Sequence, residues 1–512
     1  MPPITIGEII HDARAVARAV AKNPPEKLIA PDRGEEQQAD EVEEAAKTHV
    51  VYSELPIDAT STTDIYNNLL HAVRAEKPSH EYVGIDGSSR RLEAYNIFIG
   101  TYSTAVSIVD GAYLVGTHPD TGTYPAISIG DAPAASLSSD PGITLKATVT
   151  MPLIDPAALA KAINCSNPPI CNSLKTLGYG RGYNVSTMLD ENRVLSETYA
   201  LRYASNRIAS RLTRIALDGP VYMTPGLLVR YYNMARNLSY KSVAVLVETV
   251  YVLSYLLNVY KRAETILSIT SKGRNRIVMG IVKRVNRSRL LLNALRMSKN
   301  LESLQSRAYT DPQLVEQILR DKHLYMHMPP YAYGVGVAIG PIISVINLAV
   351  LEKAIAGSLG LDKNPALASF MQKVARTGEN LGTILQGLRS LHFLAKRSYY
   401  LVLKAHGTGY RILRVEFPQS AAEEPLHVSS GGEIAISKDT RILRRIVDND
   451  LVVLREILWL ATQPGLLEAP IPVALADRVA RSVSRTVANI WYNYLKDVVS
   501  FTYDTLVQLR GG

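Results

Sequence analysis

The sequence predicts an α/β protein built on a mixed sheet flanked by helices, and three observations predict it. Residues 81–116 carry β-branched and aromatic runs, EYVGID, AYNIFIGTYSTAVSIV and AYLVG, broken by short polar turns. A helical period through SETYALRYASNRIASRLTR leads directly into the short apolar strand IALDGP. Two more strand-like segments, RIVMGIVK and YRILRVEFP, stand among helical stretches. The chain has 512 residues, 47% hydrophobic and 20% charged, which is ordinary globular usage. That composition excludes a disordered chain, a collagen and a disulfide scaffold. The length allows two or three domains, or one domain with large insertions.

The elements follow in order. MPPITIGEIIHDARAVARAV has Glu8, Asp12 and Arg14 inside its apolar stretch, so it reads as an amphipathic helix and lacks the uninterrupted core of a secretory signal. Residues 23–46 contain Pro24-Pro25 and the acidic stretch GEEQQADEVEEAA, a solvated linker. A boundary near residue 75 separates this helix and linker, 1–75, from the rest, 76–512. Residues 81–116 are a strand, a long strand or hairpin, and a further strand. Residues 117–180 are rich in Gly, Pro, Ser and Thr around a strand-like TLKATVTM, an inserted loop- and β-rich excursion. Helical period resumes near Leu189, dominates 226–325 apart from RIVMGIVK, and returns, mixed, over 364–405. Leu451 to Leu509 reads as helices divided around Pro464 to Pro472.

Tyr333 to Leu351 is uncharged over 19 residues, the lower limit for a membrane span. Gly334, Gly336, Gly340 and Pro341 interrupt it, and a strand then a helix meeting near Gly340-Pro341 accounts for it as well, so no membrane association is expected. The apolar stretch VAVLVETVYVLSYLLNVY offers a dimer surface, but buried core is its default reading.

Lys plus Arg number 56 against 47 Asp plus Glu, a net charge of +9, which favours a polyanion such as nucleic acid as partner. Between Lys272 and Lys299 nine basic residues occur with no acid: Lys272, Arg274, Arg276, Lys283, Arg284, Arg287, Arg289, Arg296 and Lys299. A charge run is usually a solvated face, but one lacking carboxylates has no partners for a salt-bridged surface, and phosphate contact gains weight. Cys165 and Cys171 lack further thiol or imidazole partners for zinc and leave a local disulfide open. His118, His323, His327 and His406 show no ligand spacing, and no GxxxxGK[ST] loop is present. The excess of 28 Tyr over 5 Phe, with few Cys and Met, suits a heat-adapted cytoplasmic protein.

Four carboxylates carry the chemistry. Asp86 ends VGID before a Gly87-Ser88-Ser89 turn, and Asp218 ends IAL before Gly219-Pro220, so two apolar strands each deliver a carboxylate. Taken alone, each aspartate is a turn residue. Side by side on neighbouring strands they repel unless a cation joins them. Glu197, on the helix before the second strand, offers a third oxygen ligand for Mg²⁺ or Mn²⁺, with Glu191 as its competitor; taken singly it is an exposed helix glutamate. Asp477, early in PIPVALADRVARSV, is a fourth candidate or simply an acid near a helix N-terminus. Lys283, after the strand GIV, places an ammonium suited to phosphate, or is a strand-end surface lysine.

The order strand Asp, hairpin, helix Glu, strand Asp, later helix Asp resembles the carboxylate series of RNase H-like nucleases. EYVGIDGSSR, the Glu197 helix leading to RIALDGPVY, VMGIVKRVNRSRLL, YRILRVEFP and APIPVALADRVARS resemble, in succession, the motifs of the archaeal NurA nuclease family. The resemblance implies an RNase H-like core over 80–116, 190–225, 275–285 and 410–485, with an inserted β- and loop-rich segment at 117–189 and a large helical insertion at 286–405. It also implies a manganese- or magnesium-dependent DNA nuclease using two ions, working as a homodimer with a HerA-type hexameric translocase in DNA-end resection, and so in DNA repair and homologous recombination. Carried over residue by residue, Asp86, Glu197 and Asp218 are metal ligands and catalytic residues. Asp477 matches a late position at which a His can stand in the family. Lys283, Arg284, Arg287, Arg289 and Arg90, with Arg91, are expected to hold the DNA strand. Two alternatives stand beside this reading: a catalytically degenerate DNA-binding partner of such a motor, and a phosphotransferase, against which the lack of further Gly-rich phosphate turns argues.

Overall fold

The computed structural model describes residues 6–22, 50–58, 61–94, 97–110, 113–116, 126–130, 154, 156–162, 185–207, 213–223, 243–271, 276–296, 308–321, 334–359, 367, 370–371, 373–374, 393–404, 410–420, 423–429, 433–463 and 469–497. Among them, eleven strands form one mixed sheet. Its central part is built from β3 (Glu81–Ala94), β4 (Ile97–Asp110), β5 (Tyr113–Gly116), β7 (Thr213–Asp218) and β8 (Ile277–Val282). β3, β4 and β5 run antiparallel as a meander, and β7 and then β8 join the other side of β3 in parallel. This is the mixed sheet flanked by helices that the sequence predicts.

The sheet continues beyond β8 through β11 (Tyr410–Gln419), β10 (Phe393–Lys404) and β9 (Val335–Asn347) to β1 (Val51–Glu54). α2 (Thr62–Leu69) leads into β2 (Leu70–Arg74), which also pairs with β9, while β6 (Ala126–Gly130), which precedes α3 (Pro156–Ala162) in the chain, pairs with β4. A separate hairpin joins β12 (Leu426–Val428) to β13 (Ile434–Ile436).

Side-chain alternation along the strands sorts the core into two layers. On one face Val83, Ile85, Ile215, Leu217 and Val278 pack beneath α4 (Val185–Arg207) and α5 (Val243–Thr270). On the other, Tyr82, Ala216, Met279 and Ile281 pack against α9 (Thr440–Ala461) and α10 (Ile471–Leu495). The stretch VAVLVETVYVLSYLLNVY lies in α5, and its Leu253, Leu256, Leu257 and Tyr260 are buried, so it is core. The N-terminal amphipathic helix forms α1 (Ile6–Lys22); its Ile9, Ala13 and Val16 are buried, and Arg14 donates to Tyr494 on α10 at 3.1 Å.

Several boundaries differ from the sequence reading. The sheet begins before residue 75, because β1 and β2 pair with β9; their half-buried residues give little apolar alternation to read. The 286–405 segment is not only helical: besides α6 (Leu290–Arg296), α7 (Asp311–Asp321) and α8 (Leu348–Ser358), it contributes the two long strands β9 and β10. β9 passes through Gly340-Pro341 without ending there, and the strand-to-helix junction falls at Asn347, whose side chain accepts from Val350 N. A fully buried strand of this kind shows no alternation to distinguish it from a helix. Asp86 is not at a strand end either, since β3 runs on to Ala94. No described helix is long and apolar enough to cross a membrane. TLKATVTM, Cys165, Cys171, His118, His323, His327, His406, Lys272, Arg274 and Lys299 lie outside the described residues.

Candidate metal centre

β3 and β7 pair in parallel up to Ile85 opposite Leu217, so Asp86 and Asp218 occupy the next rung. Both share the parity of Tyr82 and Ala216 and therefore face α10. β7 stops at Asp218 because Gly219 takes φ +104°, a left-handed conformation that favours glycine, and donates its N–H to Ile281 O at 2.9 Å. The turn is then held from below: Val221 N donates to Glu416 Oε2 at 3.0 Å.

α10 comes close enough to complete the site because its first turn lies directly on β3. Ser107 Oγ donates to Pro472 O at 2.5 Å, and a Cβ on Gly84 would stand 2.2 Å from that same oxygen. Ser103 Oγ donates to Ala480 O at 2.5 Å, and Ser484 Oγ donates to Ser88 Oγ at 3.1 Å, so the helix is fastened along its length. Asp477 lies between these anchors and points to the rung of Asp86 and Asp218.

One carboxylate oxygen from each of Asp86, Asp218 and Asp477 lies within 4.8 Å of the others. Lys283, just past β8, enters the same space, with Nζ 2.5 Å from Asp218 Oδ2 and 3.3 Å from Asp477 Oδ2. Arg481 Nε donates to Asp477 Oδ1 at 2.6 Å from one turn along α10.

Burial pushes the Asp86 carboxyl well above the usual range, and the neighbouring Asp218 and Glu197 charges push it further. Asp86 is only 3% exposed, and in its protonated form it donates to Asp477. Burial also raises Asp218, against the pull of Lys283. For Asp477 burial works against the charge, but the hydrogen bond from Asp86 and the charges of Lys283 and Arg481 bring its pKa below the ordinary value. Burial likewise works against the Lys283 ammonium, and Asp218, Asp86 and Asp477 together still hold its pKa high. The three acids are thus faced by the Lys283 ammonium at Asp218 and Asp477 and by the Arg481 guanidinium at Asp477.

This donor set fits a hard divalent cation. All three candidate ligands are carboxylate oxygens, the class preferred by Mg²⁺ and Mn²⁺.

Glu197 is placed differently. It lies on α4, on the other face of β3: one of its oxygens would stand 2.9 Å from a Cβ on Gly87, which alternates with Asp86. The carboxylate is 2% exposed and clasped by Arg262 Nη2 at 2.6 Å and Arg193 Nη1 at 2.9 Å. Its charge is felt by Asp86, but it is not one of the three acids whose oxygens converge. Glu191 lies on the same helix, and only its backbone is described.

Two groups of residues at the site were not singled out by sequence. Glu416, fully buried beneath the Asp218 turn, receives Lys396 Nζ at 2.8 Å and Arg414 Nε at 2.9 Å. It shares its strand parity with Arg414, opposite the apolar Leu413, Val415 and Phe417, so the alternation of RILRVEFP gives no sign that it is buried. Arg481 and Arg485 follow Asp477 at four-residue steps on one side of α10, a spacing visible in DRVARSVSR.

No protein-family model and no curated protein matches the sequence. Among solved structures, the NurA nuclease from Sulfolobus solfataricus aligns over 86% of this chain and 91% of its own, at 11% identity and a TM-score of 0.33. The chain is similar to NurA nucleases. A NurA structure with manganese aligns over 85% of this chain and 93% of its own, at 10% identity and a TM-score of 0.35. A NurA structure bound to dAMP and manganese aligns over 83% and 91%, at 10% identity and a TM-score of 0.34.

The expected strand-holding residues divide. Lys283 is inside the carboxylate group, so its first partners are acids and not phosphate. Arg284 and Arg287 are exposed on the connection between β8 and α6, and Arg289 and Arg90 are half-buried. Of Arg91 and Arg296 only the backbone is described.

Proposed function

We propose that the protein is a divalent-metal-dependent nuclease that hydrolyses the phosphodiester bonds of DNA. The observation that carries this is the convergence of Asp86, Asp218 and Asp477, from two strands and a helix distant in sequence, onto a space of ionic size. Asp86, Asp218 and Asp477 would hold Mn²⁺ or Mg²⁺, one ion or a pair, which when bound would activate a water as nucleophile and stabilise charge on the departing 3′ oxygen.

The chain's own residues do the rest. Asp86 and Asp218 hold the cation on the rigid rung of two parallel strands, where neither can drift without breaking the sheet. Asp477 closes the cluster from the α10 side. Lys283 bridges Asp218 and Asp477 and, with a cation bound, would be free to offer its ammonium to a phosphate oxygen. Arg284, Arg287, Arg289 and Arg90 supply cations along the strand, giving affinity without reading bases. Glu197 acts from behind Asp86 through its charge while bound to Arg193 and Arg262.

The resemblance to NurA extends the proposal to a homodimer that works with a HerA-type hexameric translocase in cytoplasmic DNA-end resection. The test is digestion of end-labelled DNA with Mn²⁺ or Mg²⁺: wild type degrades it, EDTA stops it, and Asp218→Asn fails to cut while keeping its circular dichroism spectrum. Undiminished cutting by that variant overturns the site.

Lys283 supports a second reading. An ammonium 2.5 Å from Asp218 already neutralises part of the acid cluster, as in a subunit that docks DNA to a motor without cutting it. EDTA-sensitive digestion by the purified wild type eliminates that reading.

A further inference from the structure

Past the acid cluster, β3 and α10 continue together and their charge reverses. On the α10-facing side of β3, Asp86 is followed by Ser88 and Arg90, spanning about 13 Å of strand. On α10, Asp477 is followed by Arg481 and Arg485, each about 6 Å further along the helix. The Ser484 to Ser88 hydrogen bond, 3.1 Å, holds the two elements in register midway. The arginines therefore gather at one end: Arg90 is electrostatically coupled first to Arg485 and then to Arg481.

Burial works against the Arg90 charge, and the Arg485 and Arg481 charges add to that cost, although Arg481 is itself paired with Asp477 at 2.6 Å. Arg485 also keeps its Nε buried without a hydrogen-bond partner among the described residues, a donor left over in a cationic cluster. Such a group is stabilised by an anion with several acceptor oxygens. Guanidinium forks match phosphate in a bidentate manner, which a single surface charge does not.

Resting on the nuclease reading above, we propose that Arg90, Arg481 and Arg485 form a second phosphate subsite, which binds the backbone one or two nucleotides away from the bond placed at Asp86, Asp218 and Asp477. The helical step between Asp477, Arg481 and Arg485 is comparable to the separation of successive phosphates on an extended strand. The favoured substrate is thus a single strand or a frayed end of at least three nucleotides, gripped by backbone charge. The subsite lies to one side of the acids, so it also fixes the direction in which a strand threads past them.

The test measures binding of a short single-stranded oligonucleotide to the full chain carrying Asp218→Asn, so that nothing is cut. Arg485→Gln or Arg90→Gln in that background should lower affinity about tenfold or more and flatten the dependence of log K on log salt by about 0.7 per lost contact. Neutral methylphosphonates placed at one position at a time then locate the contact. In the parent, one internal position weakens binding; in Arg485→Gln the same replacement has no further effect. Arg485→Lys should keep the salt slope while losing part of the affinity, and thermal melts check that each variant folds. Unchanged affinity and slope in both glutamine variants, or equal effects of every methylphosphonate in parent and variant, overturns the subsite while leaving the nuclease reading in place. Failure of the parent to bind any nucleic acid overturns both.

Discussion

Lys283 Nζ stands 2.5 Å from Asp218 Oδ2, at the mouth of a cluster in which Asp86 is the most buried acid. The lysine and the raised Asp86 carboxyl both oppose a divalent ion in the cluster, and the competition can be measured.

Uptake of Mn²⁺ should release protons, and its affinity should rise with pH. The sign follows from Asp86, whose pKa is raised by burial and by Asp218 and Glu197: below that raised value the acid is protonated and opposes the ion. Calorimetric titration in buffers of different ionisation enthalpy measures the released protons. Affinity independent of pH would show that Asp86 does not bind the metal.

Asp86→Asn and Asp218→Asn should each lower metal-dependent DNA degradation by more than about 100-fold, beyond the loss expected when only an outer partner of a ligand is removed. Nuclease assays on folded, purified variants decide this.

Asp86→Asn should also stabilise the EDTA-treated protein at neutral pH. A folded-state pKa above the unfolded value means that stability is fully present below the unfolded pKa and declines as pH rises through the folded one. Asparagine removes that decline. Denaturant unfolding of wild type and variant, at acid and at neutral pH, should show the two diverging only towards neutrality.

Glu416→Ala should destabilise the fold by about 3–5 kcal/mol, because it leaves Lys396 and Arg414 as buried charges without their carboxylate. Burial alone would raise the Glu416 pKa, but Lys396, Arg414 and the Val221 N–H bring it below the ordinary value. Its contribution is therefore present above the unfolded pKa and lost as pH falls through the folded one. Urea unfolding measures the loss, and metal affinity should weaken with it because Val221 anchors the turn after Asp218.

Glu197→Gln should likewise destabilise the fold, since it unpairs the buried Arg262. If Glu197 is a ligand as well, the variant also loses Mn²⁺ stoichiometry; our assignment is that stoichiometry is kept and the proton release from Asp86 falls.

Much of this arrangement was legible in the sequence. The meander of 81–116 and the strands IALD, RIVMGIVK and YRILRVEFP follow from local apolar patterns, whereas the grouping of Asp86, Asp218 and Asp477 comes from the order of the motifs along the chain, since each acid alone reads as a turn or helix-end residue. What was not legible depends on partners far along the chain. Gly87-Ser88-Ser89 reads as a turn, yet it stays in β3 because a bare Gly87 admits Glu197 on one face and Ser88 meets Ser484 on the other. The face on which Glu197 lies depends on strand parity relative to α10, which no motif spacing encodes. Only the first half of β9 was read as strand, because a strand buried on both sides has no polar beat to carry the reading past Gly340-Pro341.

The first turn of α10 rests where the side chain of residue 84 would be, so the depth at which Asp477 sits is set by an atom that Gly84 does not have. A single methyl group there would act as a wedge, tipping a 25-residue lever and drawing one acid away from the other two without touching any of them.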